Sequence, residues 1–379
     1  MNAPTKGVFQ PMILPMAKDV PSGAGEFHLP SADQPFICGT VAAPVGRIPR
    51  VDSELTRRDL RGHYLVRWNI GRDHFTVEPG LYALGDPGCD SPVLVTANYK
   101  LTFDLLRRTL AGRHVWILVL DTRGINVWCA AGKGTFGTEE LLDRIQASRL
   151  DEVVNHRKII VPQLGASGLA AFEVKQHAGF RVVYGPVQMS DLPLFLENDC
   201  RATAEMRIKK FPFAERLVLV PVEFMQGVQQ GVPLMLLFLL VAGFAADGGP
   251  FVQAALTHGL PSALAVLLGI IAGNIVTPLL LPWIPGKAFS VKGAVAGLVV
   301  FSFVFAVSGV SGMGYSFLEP FSWLLITLAV SSWLGMAFTG ASTFTSLNGV
   351  RKEMLRAMPI QFVAIVLGIG LWATALWFG

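Results

Sequence analysis

The residues with the plainest chemistry in this chain sit in one run, Asn126-Val-Trp-Cys-Ala-Ala-Gly-Lys133. A cysteine acts as nucleophile or soft metal ligand through its thiolate, so what matters is how far its surroundings favour negative sulfur. Asn126 is suited to cap the start of a short helix, and Gly132 or Gly134 to end it. Cys129 then falls in the first turn, where the helix dipole and Lys133 both favour negative charge. On helical spacing Asn126, Cys129, Ala130 and Lys133 share one face, while Val127, Trp128 and Ala131 point elsewhere. Ala130, Ala131 and Gly132 are small enough to let the backbone approach a flat ligand. Two other readings compete. A lone cysteine beside Trp and Ala also suits a small buried hydrophobe. The Ala-Gly-Lys-Gly-Thr string is close to a phosphate loop, but Val127 stands where that loop needs its first glycine and Gly134 follows the lysine, so that reading fails.

The elements that must position this run follow from the apolar pattern. Runs at Pro92–Ala97, Val115–Leu120, Ile159–Pro162, Arg181–Tyr184 and Leu217–Val222 alternate with helix candidates near 101–110, 138–147, 167–178 and 191–198. Such alternation predicts a parallel sheet with helices on both faces. The last run reads equally as the entry to a membrane helix. Upstream, Tyr64–Trp68, His74–Val77 and Gly80–Leu84 read as short strands, and residues 1–60 as loop-rich. Ligands bind at the carboxyl ends of the strands in such sheets. There the sequence places Asn98-Tyr-Lys-Leu-Thr102, the segment from Asp121 to Gly134, Gln163-Leu-Gly-Ala-Ser-Gly168 and Gly185-Pro-Val187. Four polar or glycine-rich loops on one edge imply a large ligand.

The rest of the chain is of another kind. Of its 379 residues 52% are hydrophobic and 15% charged, with mean hydropathy +0.49; a soluble domain carries about 25% charged residues. Residues 1–216 hold 26 basic and 23 acidic side chains, and the remainder only five and four. Five uncharged stretches, about 228–246, 262–284, 293–312, 320–339 and 359–378, are each long enough to span a bilayer. The expected organisation is therefore a loop-rich segment at 1–60, a soluble domain at 61–222 and a transmembrane domain at 223–379. Lys209, Lys210 and Arg216 precede the first span, Lys287 and Lys292 follow the second, and Arg351, Lys352 and Arg356 follow the fourth. Asp247 and Glu319 mark the opposite side. The positive-inside rule then puts the soluble domain in the cytoplasm and the C-terminus outside, in a multi-pass protein of the inner (cytoplasmic) membrane. The expected spans hold no ionisable residue in their interiors, which argues for an anchor over an ion-coupled transporter. Gly269/Gly273 and Gly293/Gly297 have the spacing of close helix contacts, and Asn274 suits an interhelical hydrogen bond. Cys38, Cys89, Cys129 and Cys200 lack the spacing for zinc or a cluster. No signal-peptide pattern opens residues 1–30, and no basic, aromatic-interleaved run suggests nucleic acid.

At Asn126–Lys133 the sequence resembles the membrane corrinoid protein of microbial mercury methylation, whose cap-helix motif it matches at all eight positions. Asn98–Thr102, Gln163-Leu-Gly-Ala and Gly185-Pro-Val resemble the wider family that includes the corrinoid domain of the acetyl-CoA corrinoid iron–sulfur protein. The resemblance covers about residues 60–222, and the five-span tail extends it toward the mercury proteins.

That resemblance implies an α/β Rossmann-like corrinoid-binding domain with a cap helix, followed by a five-helix transmembrane domain. It implies a corrinoid (cobalamin or a related cobamide) with Cys129 as lower axial ligand to cobalt. Thr96, Asn98 and Thr102 would line the corrinoid, Asn126, Val127, Trp128, Ala130, Ala131, Gly132 and Lys133 would form the cap, and Gly165, Ser167 and Gly185 would accommodate its edge and tail. The implied activity is a corrinoid-dependent methyltransferase that passes a methyl group with its bonding electrons to Hg(II), forming methylmercury. The implied partners are a methyltetrahydrofolate-linked methyl donor and a ferredoxin-like electron donor with 4Fe–4S clusters, since this chain lacks the cluster motif of the acetyl-CoA protein. A membrane-anchored methyl carrier of one-carbon metabolism is the alternative. Corrinoid uptake or storage fits less well, having no use for a thiolate cap.

Overall fold

The computed structural model describes residues 27–245, 250–308, 316–340 and 347–378. Residues 1–26, Asp247 and the end of the third expected span, 309–312, lie outside these. Seven strands, β1 (Ile37–Ala43), β2 (Gly46–Val51), β3 (Gly80–Leu84), β4 (Val93–Ala97), β5 (Val115–Leu120), β6 (Lys158–Val161) and β7 (Arg181–Tyr184), form one sheet in the order β1-β2-β3-β5-β4-β6-β7. Around it lie α1 (Arg57–Arg67), α2 (Lys100–Thr109), α3 (Val127–Lys133), α4 (Thr138–Ala147), α5 (Leu150–Val153), α6 (Ala171–Ala178) and α7 (Leu192–Glu197). Strands β3, β4 and β5 are buried along their whole length, with an apolar cluster on each face of the sheet. That accounts for their continuous apolar runs.

The sheet is mixed, where the alternation predicted a parallel one. Strands β5, β4, β6 and β7 are parallel, but β3 is antiparallel to β5. A parallel crossover needs a dozen or more residues, and the connection 85–92 is too short for one. Within the segment expected to be loop-rich, β1 and β2 form an antiparallel hairpin that extends the sheet through β2 and β3. Tyr64–Trp68, strand-like by composition, belongs to the end of α1. The helix wins because Thr56 and Asp59 form a capping box: the Thr56 hydroxyl accepts from Asp59 N at 3.2 Å and the Asp59 carboxylate accepts from Thr56 N at 3.0 Å. His74–Val77 contributes a 3₁₀ turn and one isolated bridge, Thr76 to Tyr99.

A buried ionic cluster ties α1 to α2. Lys100 Nζ lies 2.6 Å from both Asp59 and Asp104. Arg107 reaches Asp104 at 2.8 Å and Asp59 at 2.9 Å, and His63 meets Asp104 at 2.8 Å. Burial pushes both carboxyls up, but hydrogen bonds and the facing cations outweigh it and hold both below the usual range.

Five helices are long and apolar enough to cross a membrane: Phe213–Ala245, Phe251–Leu279, Phe289–Val307, Leu318–Ala337 and Gly349–Trp377. Leu217–Val222, one of the apolar runs, is part of the first of them and not a strand. The fourth helix is central. A side chain at Gly269 or Gly273 would strike Val330 or Leu334 at 2.7 Å, and one at Gly293 or Gly297 would come within 2.3 Å of Ser331. Both glycine pairs thus serve close packing against this one helix. Asn274 is buried and donates to the Glu223 carbonyl at 2.7 Å, joining the second membrane helix to the first. The helices run further than the uncharged stretches, so their ends take in ionisable residues; His258 and Glu319 pair at 2.6 Å between the second and fourth.

Depressed carboxyl groups stabilise the fold above their unfolded value and lose that contribution as pH falls toward the folded one. The α/β domain should therefore hold its stability at neutral pH and lose it as pH drops below about 4. Lys100→Met, which keeps the stem and removes the cation, should move the onset of acid unfolding to higher pH. Fluorescence-monitored acid titration of the two proteins checks this; an unchanged onset refutes the ion-pair account.

Candidate functional site

A cavity of about 630 Å³ opens at the carboxyl ends of the parallel strands. This lies well inside the roughly 300–1,000 Å³ typical of small-molecule sites. Its sheet side comes from Leu94, Val95 and Thr96 of β4, Ile160 of β6 and Gly185–Val187 after β7. Asn126, Val127, Trp128, Cys129 and Lys133 face it from α3. Leu219, Val222, Glu223 and Gln226 face it from the first membrane helix, with Ala337 from the fourth. Arg72, Thr102 and Lys209 complete its polar lining.

Local chemistry explains how Cys129 arrives there. Asn126 caps α3, its side-chain oxygen accepting from Cys129 N at 3.0 Å, and Gly134 ends the helix at φ 82°. Cys129 is half-buried, and of the four cysteines it alone lines the cavity. Ala130 and Ala131 point down into the core, so the helical face read from spacing is rotated: Val127 and Trp128 meet the cavity and Ala130 does not. Gly132 is exposed and outside the lining.

The loop ahead of α3 is held by Asn98. Its side-chain oxygen accepts from Thr122 N at 3.1 Å, Thr122 Oγ1 at 2.9 Å and Gly124 N at 3.0 Å, while its amide donates to Asp121 at 3.0 Å. Glu140 adds a bond to Asp121 N at 2.8 Å. Asn98 therefore positions the cap loop and does not line the cavity. Gly165 and Gly168 play a comparable part in the turn Gln163–Gly168. A side chain at Gly165 would meet Phe136 at 2.5 Å, and one at Gly168 would meet the Phe136 carbonyl at 2.2 Å and Ala131 Cα at 3.1 Å. Both glycines let this turn press against the cap segment. Ser167 is exposed, away from the cavity.

Of the residues singled out in the sequence, Thr96, Thr102, Asn126, Val127, Trp128, Cys129, Lys133 and Gly185 converge on the cavity. Asn98, Ala130, Ala131, Gly132, Gly165 and Ser167 do not. Sequence reasoning missed Arg207, which bonds to the Gln163 side chain and the Gly185 carbonyl and so ties two cavity loops together. It also missed Arg72, Lys209, Glu223 and Gln226; the only signal was the basic cluster before the first span. The membrane half, read as an anchor, supplies part of the cavity wall.

The chain is thus a seven-stranded mixed α/β domain with a cysteine-bearing cap helix over a strand-end cavity, followed by five candidate membrane spans. Residues 69–196 match the family described as CO dehydrogenase/acetyl-CoA synthase delta subunit. The acetyl-CoA decarbonylase/synthase complex subunit gamma of Archaeoglobus fulgidus is 34% identical over 139 residues, 35% of this chain and 29% of that protein. Its counterpart from Methanopyrus kandleri is 35% identical over 130 residues, 34% of this chain and 28% of that protein. The matches span under a third of these relatives' own length. The family match, ending at residue 196, covers most of the α/β part of the cavity and stops short of the first membrane helix. The acetyl-CoA synthase gamma and CdhD family binds a cobalt corrinoid, in agreement with the cofactor expected from the sequence.

Replacing Asn98 by Leu would strand several donors of the cap loop, each costing about 1–3 kcal/mol when buried without a partner. Asn98→Leu should lower the melting temperature and loosen the cap, whereas Ser167→Ala should do neither. Thermal unfolding and hydrogen exchange over residues 121–134 measure both; equal protection in the two variants would remove Asn98 from this role.

Proposed function

We propose that this chain holds a corrinoid in the strand-end cavity, where Cys129 would ligate its cobalt, and works as a corrinoid-dependent methyltransferase that methylates Hg(II). The observation that carries the reading is Cys129 itself: one thiol, presented by a capped helix to a cavity with apolar walls, within a domain similar to corrinoid-family subunits. The residues suit such a group. A soft sulfur donor stands on the cap side, Leu94, Val95 and Ile160 offer an apolar bed, and Gly185 leaves the strand end open.

When bound, the corrinoid supplies a methyl group that can leave with its bonding electrons, as a soft metal cation requires. The chain's own residues do the rest. Asn126 fixes the first turn of α3 and so the position of Sγ. Lys133 brings a cation to the same cavity, where it would meet acidic groups of a bound corrinoid. Arg72, Lys209, Glu223 and Gln226 give the cavity its polar side toward the membrane helices, where an acceptor can be received. A methyltetrahydrofolate-linked protein as methyl donor and a ferredoxin-like protein with iron–sulfur clusters as reductant complete the proposal. The soluble domain faces the cytoplasm in this reading, supported by the basic loops at its end of the membrane helices.

A second reading, a membrane-anchored methyl carrier of one-carbon metabolism, is favoured by the similarity to acetyl-CoA decarbonylase/synthase subunits. One experiment separates the two. With corrinoid-loaded full-length protein, methyl donor and reductant, Hg(II) should be consumed and methylmercury formed. Cys129→Ala should leave the melting temperature within a few degrees, alter the corrinoid absorption spectrum and cut methylmercury formation by at least about a hundredfold; outer-shell changes at metal sites already cost 10–100-fold. An unchanged spectrum removes Cys129 as ligand. An altered spectrum with no methylmercury even from the wild type favours the carrier.

A further inference from the structure

Far from Cys129 in sequence, a second cavity of about 770 Å³ lies between the third and fifth membrane helices. It sits at the end of the helical bundle that faces the α/β domain. Phe338, at the end of the fourth helix, meets both Phe289 at the start of the third, centroids 6.4 Å apart, and Phe211 just before the first, at 6.2 Å. The groove is therefore at a membrane–water boundary.

Its composition is graded. Lys287, Lys352 and Arg356 lie at its polar end, while Val291, Ala294 and Ile360 line its apolar part. The one carboxylate in the lining, Glu353, accepts from Ser290 N at 2.6 Å and so is engaged at the start of the third membrane helix. Lys287, Lys352 and Arg356 make no ion pair among the described residues. Neighbouring Lys292 is committed elsewhere, donating to the carbonyls of Leu281 and Ile284.

The third membrane helix begins at the groove with its Ser290 N already bonded to the Glu353 carboxylate, so its N-terminus is not free for a ligand. Gln361 borders both this groove and the neighbouring cavity beside the first and second membrane helices, and its amide donates to Ser332 Oγ at 2.8 Å. The groove thus offers a cationic rim without ion pairs among the described residues, and an apolar channel beside it. Basic pockets between membrane helices at such a boundary recognise anionic lipid head groups.

We propose that this groove binds an anionic glycerophospholipid. Its phosphate lies among Lys287, Lys352 and Arg356, and an acyl chain runs along Val291, Ala294 and Ile360. The site is separate from the proposed methyl-transfer site and stands whether or not that assignment holds.

The test uses the purified full-length chain in neutral detergent, titrated with phosphatidylglycerol or phosphatidylcholine and read by native mass spectrometry. Wild type should retain phosphatidylglycerol at least about tenfold more tightly than phosphatidylcholine. The triple variant Lys287→Gln/Lys352→Gln/Arg356→Gln should lose that preference, each cation near an anionic surface being worth severalfold. The charge-preserving Lys287→Arg/Lys352→Arg pair should keep it, and single Arg356→Gln should lie between, which covers failure of the triple variant to fold. Equal retention of the two lipids by wild type overturns the proposal, as does undiminished preference in the triple or single glutamine variant. Displacement of the lipid by millimolar inorganic phosphate would assign the cations to a soluble anion and equally overturn it.

Discussion

One carboxamide holds the candidate site in register. The Asn98 side chain, at the end of β4, takes three hydrogen bonds from the loop after β5 and gives one back to Asp121. Without it several donors of that loop would lose their partner. The position of Cys129 follows from where α3 starts, through the Asn126 cap and the register of a single short helix. Beneath, Gly165 and Gly168 let the Gln163–Gly168 turn close against the cap from the other side. The half-buried Cys129 on α3 is thus held between two strand-end loops, one pinned by polar bonds and one by close packing.

The ionic cluster does similar work at longer range. Lys100 and Arg107 join α2 to α1 through Asp59 and Asp104, and α2 carries Thr102 into the cavity. Buried ion pairs are weak stabilisers overall because desolvation offsets their attraction. Here their contribution is orientation: one helix face is fixed against another with little freedom to slide.

Much of this was legible in sequence, and the misses have physical causes. The strands from β3 to β7 and the helices α2, α4, α6 and α7 follow from apolar runs and spacing. The short helix α3 follows from its caps, because capping is local chemistry. Asn98 and Gly165 turn to the cap loop and the Gln163–Gly168 turn instead of the cavity, because a residue type at a strand end does not reveal which way its bonds run. Tyr64–Trp68 misleads because a capping box several residues upstream overrides the preference of Tyr, Val and Trp for strands. Leu217–Val222 was ambiguous by length alone, and its helical outcome brings Leu219, Val222, Glu223 and Gln226 to the cavity. No motif marks them, since their role depends on how the first membrane helix lies against the α/β domain.

That helix has a consequence in distance. It runs from Phe213 to Ala245, 33 residues, or about 50 Å at 1.5 Å per residue. A hydrocarbon core takes about 30 Å of that, leaving roughly 20 Å on the side of the α/β domain. The cavity-lining residues fall within this remainder, and no flexible tether separates them from the buried part. The cavity is therefore held at a set height beside the membrane-crossing part of the helix. A protein partner can dock only from the hemisphere that lipid leaves open, and small solutes reach Cys129 from a boundary layer whose ionic composition the lipid itself controls.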